Sequence, residues 1–192
     1  MLWIGLFLMA RTEDPSGRQR ILAVAAELFY VRGVRAVGMA EVIQAAGCGK
    51  NMLYRHFPGK SALVAAYLGR AREEREAATS AALTGEPREQ LVALVTEVAY
   101  RVRGSAYRGC AFRKYLAEFP SPGDDDEATA VARAYLRDTR AQVSELVAAA
   151  GGPPQLGDRL WLLIDSLYSG TGPDPSVAVE WARELVAAGR PD

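Results

Sequence analysis

Residues 26–68 read AELFYVRGVRAVGMAEVIQAAGCGKNMLYRHFPGKSALVAAYL, and this stretch decides the fold. Around its start, apolar side chains recur at spacings of three and four, namely Ile21, Leu22, Ala25, Leu28 and Phe29. This periodicity predicts an amphipathic helix over residues 16–31. We expect Ser16 or Gly17 to cap the helix and Gly33 to end it.

Two short helices are predicted next, over residues 39–46 and 50–57. The tripeptide Gly47-Cys48-Gly49 interrupts the apolar pattern between them, and Pro58-Gly59 ends the second one. Two short helices joined by a glycine-containing turn form a helix-turn-helix, whose second helix can enter the major groove of DNA.

The charge of the chain is distributed unevenly. Residues 9–70 contain nine basic and four acidic side chains, whereas residues 71–192 contain 14 basic and 19 acidic ones. The N-terminal part therefore carries a charge of +5, which the −5 of the remainder cancels. This asymmetry indicates an N-terminal surface that faces phosphate, although the net charge of the whole chain is zero.

The remainder of the chain is also predicted to be helical, and no segment alternates as a strand. The predicted all-α fold has about nine helices, with a helix-turn-helix domain over residues 9–60 and a ligand-binding and dimerisation domain over residues 61–192. The further helices are predicted at 60–83, 87–102, 110–119, from the acidic run 124–127 to about 150, 155–169 and 175–188.

The segment from Arg18 to about Leu68 resembles the DNA-binding domain of TetR (tetracycline-repressor) regulators. The resemblance is carried by Ala26, Leu28, Phe29, Gly33, Val42, Ala46-Gly47, Leu53, Tyr54, His56, Phe57, Lys60 and Leu63. It implies a transcription regulator. An enzyme finds almost no support in the sequence, which has one histidine, no metal-ligand cluster, no Gly-rich phosphate loop and no nucleophile–base pair, and no cofactor or metal is expected. The residues that contact DNA would be Lys50, Asn51, Met52, Tyr54, Arg55, His56 and Lys60.

Two positions depart from the family pattern. Gly38 stands where Thr usually caps the second helix, and Gly49 stands where Ser usually caps the third. Glycine is an acceptable cap, but the missing hydroxyls remove two groups that could contact phosphate.

Aromatic residues are concentrated in the C-terminal part. A ligand-binding cavity is largely apolar with a few polar groups, and tyrosine and tryptophan side chains supply both kinds of contact. We predict Tyr100, Phe112, Tyr115, Trp161 and Tyr168 as ligand contacts. The apolar stripes of the last two helices are too broad for a small monomer to cover, and the resemblance implies a homodimer with a four-helix interface. Such a dimer would bind double-stranded, near-palindromic operator DNA as a repressor and would release it when an unknown small molecule binds.

Other interpretations stay open at this level. The chain could be a small-molecule-binding helical protein that keeps the helix-turn-helix only as a scaffold. Arg113 and Lys114 form either a solvated face or a contact for an anionic ligand, and Cys48 and Cys110 serve either packing or thiol chemistry. The acidic run 124–127 is expected to be a helix start or a mobile loop and not a metal site, since four adjacent carboxylates on a helix cannot face one metal ion.

The sequence shows neither a disulfide framework nor a transmembrane run. The two cysteines are far apart and fit a reducing cytoplasm. The apolar run MLWIGLFLMA is too short to span a bilayer. We expect Met9 to be the true start and residues 1–8 to be an upstream extension.

Overall fold

A computed structural model describes residues 15–120 and 126–189, and these residues fold into nine α-helices without a strand. The predicted fold class is confirmed. The helices are α1 (Pro15–Arg32), α2 (Met39–Ala45), α3 (Lys50–His56), α4 (Lys60–Ala82), α5 (Pro87–Val102), α6 (Ala111–Glu118), α7 (Glu127–Ala149), α8 (Pro154–Leu167) and α9 (Pro175–Ala188). The expectations for residues 1–8, Met9, Asp124 and Asp125 lie outside the described residues. Within the described ranges, none of the helices is both long and apolar enough to cross a membrane.

Glycines set the boundaries of the first three helices. Gly33 ends α1 at a φ of +86°, and Gly47 makes the turn after α2 at a φ of +58°. L-residues with a side chain seldom adopt this left-handed backbone. Gly38 and Gly49 are the N-cap residues of α2 and α3, and neither helix has a side-chain cap there.

The expected cap of α1 is wrong. The helix already includes Ser16 and Gly17, because it begins at Pro15, one residue earlier than the sequence pattern suggested. Proline is well suited to the first turn of a helix, since its fixed φ is helical and its missing N–H has no partner there in any case.

The buried residues form two separate clusters. The first core joins α1–α3 and the N-terminal half of α4 to α6 and the beginning of α7. Its members from the distant helices are Phe112, Tyr115, Ala128, Ala132 and Tyr135. The stacked rings of Phe112 and Tyr135, with centroids 3.8 Å apart, bind α6 to α7 inside this core.

The second core lies among α5, the C-terminal half of α7, α8 and α9. Leu91, Leu160 and Ile164 are nearly inaccessible within it. A domain boundary near residue 60 remains a prediction, and we note that the first core includes side chains from both sides of that position.

Candidate nucleic-acid interface and ligand cavities

Helix α3 divides cleanly into a buried and an exposed face. Leu53 and Phe57, four residues apart, are 0% and 2% exposed and fix the helix on the first core. The predicted contacts Lys50, Asn51, Tyr54 and Arg55 are exposed, while Met52, His56 and Lys60 are partly buried. The fold therefore brings the predicted DNA contacts of α3 to one surface, with Lys60 at the first turn of α4.

The basic groups of this surface are available to a ligand. Among the described residues, no carboxylate forms an ion pair with Lys50, Arg55 or Lys60. The Lys50 ammonium lies 5.9 Å from the centroid of the Tyr54 ring, and both side chains are exposed. Unpaired Lys and Arg side chains on a protruding helix can bind phosphate and the edges of bases.

A contact that we call the Glu118 clasp joins α6 to the segment after α1. The carboxylate of Glu118 accepts hydrogen bonds from the backbone N–H of Val34 (3.1 Å) and of Arg35 (2.7 Å). The guanidinium of Arg35 also lies 4.7 Å from the centroid of the Phe119 ring. Movement of α6 must therefore act on the loop that leads into α2.

Arg113 and Lys114 do not form the solvated face that was one reading of the sequence. Lys114 Nζ donates to the backbone carbonyl of Tyr30, which ties α6 to the end of α1. Arg113 pairs with Asp165 at 2.6 Å, and its guanidinium lies over the rings of Trp161 and Tyr168. Both side chains therefore lie between helices, although Nε and Nη2 of Arg113 are buried without a hydrogen-bond partner among the described residues.

Two cavities lie along successive parts of α4. The first, which we call the head cavity, has about 510 Å³ and is lined by residues of α1, α4, α6 and the loop before α6, together with Arg101 of α5 and Tyr168. The second, the body cavity, has about 420 Å³ and is lined by residues of α4, α5, α7 and α8. Volumes of this size suit small organic molecules.

Arg75 of α4 and Tyr168 separate the two cavities and line both. The guanidinium of Arg75 donates to the hydroxyls of Tyr135 (3.3 Å) and Tyr168 (3.1 Å) and to the carboxylate of Glu97 (3.1 Å). Burial lowers the pKa of Arg75, but the two tyrosines and Glu97 raise it more, so the side chain stays charged. This buried charge therefore holds α4, α5, α7 and α8 together.

The structure brings only some of the predicted ligand contacts together. Phe112 and Tyr168 line the head cavity. Tyr115 is buried in the first core, where its hydroxyl bonds Asp126, and Trp161 packs on the second core. Tyr100 is 82% exposed and lines neither cavity.

Arg75 and Tyr107 are polar residues of the cavities that the sequence did not single out. Arg75 lies within the run of charged residues from Arg70 to Glu76. The available signal was its spacing, because Arg75 is seven residues after the buried Leu68 and so shares its face of α4. The hydroxyl of Tyr107 is buried without a hydrogen-bond partner among the described residues, and burial raises its pKa, so it remains protonated.

Comparison with known proteins agrees with this architecture. Residues 21–67 match the sequence model of "Bacterial regulatory proteins, tetR family". The crystal structure of a TetR-family transcriptional regulator from Streptomyces coelicolor is 29% identical, with a TM-score of 0.78 over 90% of this chain and 93% of that one. A TetR-type regulator from Streptomyces avermitilis is 27% identical, with a TM-score of 0.75 over 90% and 97% of the two chains.

An HTH-type transcriptional regulator of Mycobacterium tuberculosis strain H37Rv is 40% identical over 103 residues, which are 50% of this chain and 51% of the relative. The chain thus spans about half the length of the curated relatives it matches. The fold and the comparisons together define the class of the protein as an all-helical regulator with a helix-turn-helix. The predicted resemblance to TetR regulators is confirmed over residues 21–67, and the proteins to which the chain is similar are transcription regulators, not enzymes.

Proposed function

We propose that the protein is a ligand-responsive transcriptional repressor that binds a near-palindromic operator as a homodimer. The observation that carries the proposal is the exposed face of α3, where Lys50, Asn51 and Arg55 project from a helix that Leu53 and Phe57 anchor in the first core. Lys and Arg can donate to guanine O6 and N7, and Asn can pair with adenine, so this face can distinguish base pairs. A regulator of chromosomal genes would act in the cytoplasm.

Selection of bound DNA from a random pool tests the proposal directly. The selected operator should then bind Arg55→Ala more weakly by about 1–3 kcal/mol, with relaxed preference at the contacted base pair. Lys60→Ala should weaken binding to all sequences and reduce the salt dependence of binding, because that ammonium would meet a phosphate. Arg137→Ala is the control, since Arg137 is exposed on α7, away from α3.

The dimer is proposed from the surface of the last two helices. Leu162 of α8 is 68% exposed and Trp181 of α9 is 56% exposed, which is unfavourable for large apolar side chains in water. In a dimer built on these helices, paired α3 helices would enter major grooves about 34–36 Å apart. Sedimentation of Leu162→Glu and Trp181→Glu should show monomers; dimers of unchanged stability would contradict this interface.

Release would follow from a shift of α4, which carries Lys60 at one end and Arg75 beside the cavities. A ligand can release DNA only by binding the released state more tightly, and by linkage the operator must weaken ligand binding equally. Operator affinity measured at saturating ligand tests this step. Unchanged affinity would contradict induction.

A second candidate is a helical small-molecule-binding protein whose helix-turn-helix is a scaffold only. The glycine N-caps Gly38 and Gly49 favour it, because α2 and α3 lack the side-chain hydroxyls that could contact phosphate. Failure of the random-pool selection to enrich any sequence at low salt would support this candidate over the repressor.

A further inference from the structure

We propose that the head cavity binds a planar aromatic monocarboxylate, an inference that rests on the proposed function because it names the class of its effector. The body cavity is unsuited to such a ligand, since its lining carries Glu76, Asp138 and Glu145 against a single cation, Arg75. An anion should therefore enter the head cavity and not the body cavity.

The charges around the head cavity leave one cation uncompensated. Arg70 pairs with Glu74 at 2.8 Å, so these two lining residues neutralise each other. Arg75 and Arg101 both line the cavity and share one oxygen of Glu97, to which Arg75 donates at 3.1 Å and Arg101 donates through two nitrogens, at 3.1 Å and 2.5 Å. Glu97 itself is not part of the lining, so a ligand would meet the two guanidinium groups and not the carboxylate between them.

The remaining carboxylate of the lining is Glu27, which is exposed on α1 and therefore well solvated. Arginine prefers planar oxyanions because its N–H groups match a carboxylate in geometry as well as in charge. The excess positive charge beside Arg75 and Arg101 thus selects an acid over a neutral ligand.

Tyr107 supplies a second, independent polar contact. Its hydroxyl is buried, it lines the head cavity, and it has no hydrogen-bond partner among the residues described. A buried hydroxyl without a partner is unfavourable, and an oxygen acceptor on a ligand would satisfy it.

The rest of the lining indicates the shape and polarity of the part of the ligand that does not carry the charge. Tyr30, Tyr67, Phe112 and Tyr168 present aromatic surface, and alanines and glycines leave room between the rings. A flat aromatic ring can stack on such side chains. Tyr30 and its neighbours Ala23 and Ala26 belong to α1, so the occupant would contact the helix-turn-helix unit directly.

Calorimetric titration with 2-naphthoate and its neutral analogue 2-naphthamide tests the proposal on the full chain without DNA. The acid should bind about tenfold more tightly than the amide, the contribution expected of a hydrogen bond to a charged group. Arg101→Gln should remove this preference, and Tyr107→Phe should weaken the binding of both compounds. Arg140→Gln is the matched control, because Arg140 lies on α7 and pairs with Asp158 outside the cavity.

The proposal would be overturned by equal affinities for acid and amide, or by no binding of either. It would also be overturned if Arg101→Gln kept as large a preference for the acid as Arg140→Gln. If Arg101→Gln fails to fold, Tyr107→Phe still tests the proposal, because it removes a single oxygen atom and should weaken the binding of both compounds. Operator binding is measured separately. A protein that binds operator and ignores naphthoate contradicts only the ligand class, whereas one that binds naphthoate and no DNA contradicts the proposed function.

Discussion

The two cores of the molecule differ in how far along the chain they collect their residues. The second core is built from the C-terminal helices and α5 alone, whereas the first core adds Phe112, Tyr115 and Tyr135 to residues that precede position 70. The helix-turn-helix therefore shares one packed interior with α6 and the start of α7. A ligand in the head cavity would contact this shared interior, so its binding could shift α3 through side chains that pack directly against one another.

The largest loss of stability is expected from a mutation in the first core, compared with one in the second core. Phe112→Ala removes a side chain that is 1% exposed and stacked on Tyr135, and should cost about 3–5 kcal/mol of unfolding free energy. Amide exchange should show the lost protection in α1–α3 as well as in α6 and α7. Leu160→Ala, in the second core, is the control and should lower protection mainly in α8 and α9. Equal losses in both regions would mean that the two cores act as one unit.

The Glu118 clasp should contribute less than a core side chain. Glu118→Ala leaves the N–H groups of Val34 and Arg35 without their acceptor and should cost about 1–3 kcal/mol, measured by urea unfolding. The matched control is Glu73→Ala, an exposed glutamate of α4. If both variants have the same stability, the clasp does not hold α6 to the loop before α2.

Asp126 connects α7 to the first core through hydrogen bonds that depend on pH. Burial raises its pKa, but bonds from the Thr129 N–H (2.9 Å), Ser61 Oγ (2.8 Å) and Tyr115 Oη (3.1 Å) outweigh this effect and lower the pKa overall. The stabilisation is therefore complete above the ordinary carboxyl pKa of about 4 and is lost as the pH falls through the folded value.

Asp126→Asn keeps a helix cap without the charge and should cost about 0.3–1 kcal/mol at neutral pH. Its stability should also fall less steeply than that of the wild type when the pH is lowered below about 4. Unfolding at a series of pH values measures both effects, with Glu73→Gln as the control. Parallel pH profiles for wild type and Asp126→Asn would refute the linkage.

The smallest expected effect concerns the glycine caps of the first core's short helices. Gly49 has an extended backbone and open space where a Cβ would lie, so Gly49→Ser should stabilise α3 by a few tenths of a kcal/mol. Gly47→Ser is the contrast, since its φ of +58° should make the same substitution destabilising by about 1 kcal/mol. Thermal unfolding of the pair measures the difference, and a melting temperature that falls in both would contradict the cap argument.

Local features of the sequence were sufficient for most of the secondary structure. The spacing of apolar residues predicted each helix to within a few residues, and Gly33 and Gly47 marked the turns because a left-handed backbone favours glycine. The exposed face of α3 was also predictable, since Leu53 and Phe57 share one side of a helix. The ligand cavities were not, because Tyr100 and Phe112 carry the same aromatic signal although one is 82% and the other 1% exposed.

By itself, then, the sequence determined an all-helical chain with a TetR-like helix-turn-helix, the approximate bounds of its helices and the exposed face of α3. Only the tertiary structure decided that α6 packs with the helix-turn-helix, that Arg75 stands between two cavities and that Tyr107 has an unsatisfied hydroxyl. The physical reason is the separation along the chain of the residues that determine each property. Helix periodicity and turns depend on neighbours a few residues away, whereas burial and hydrogen-bond partners depend on helices that meet from distant parts of the chain.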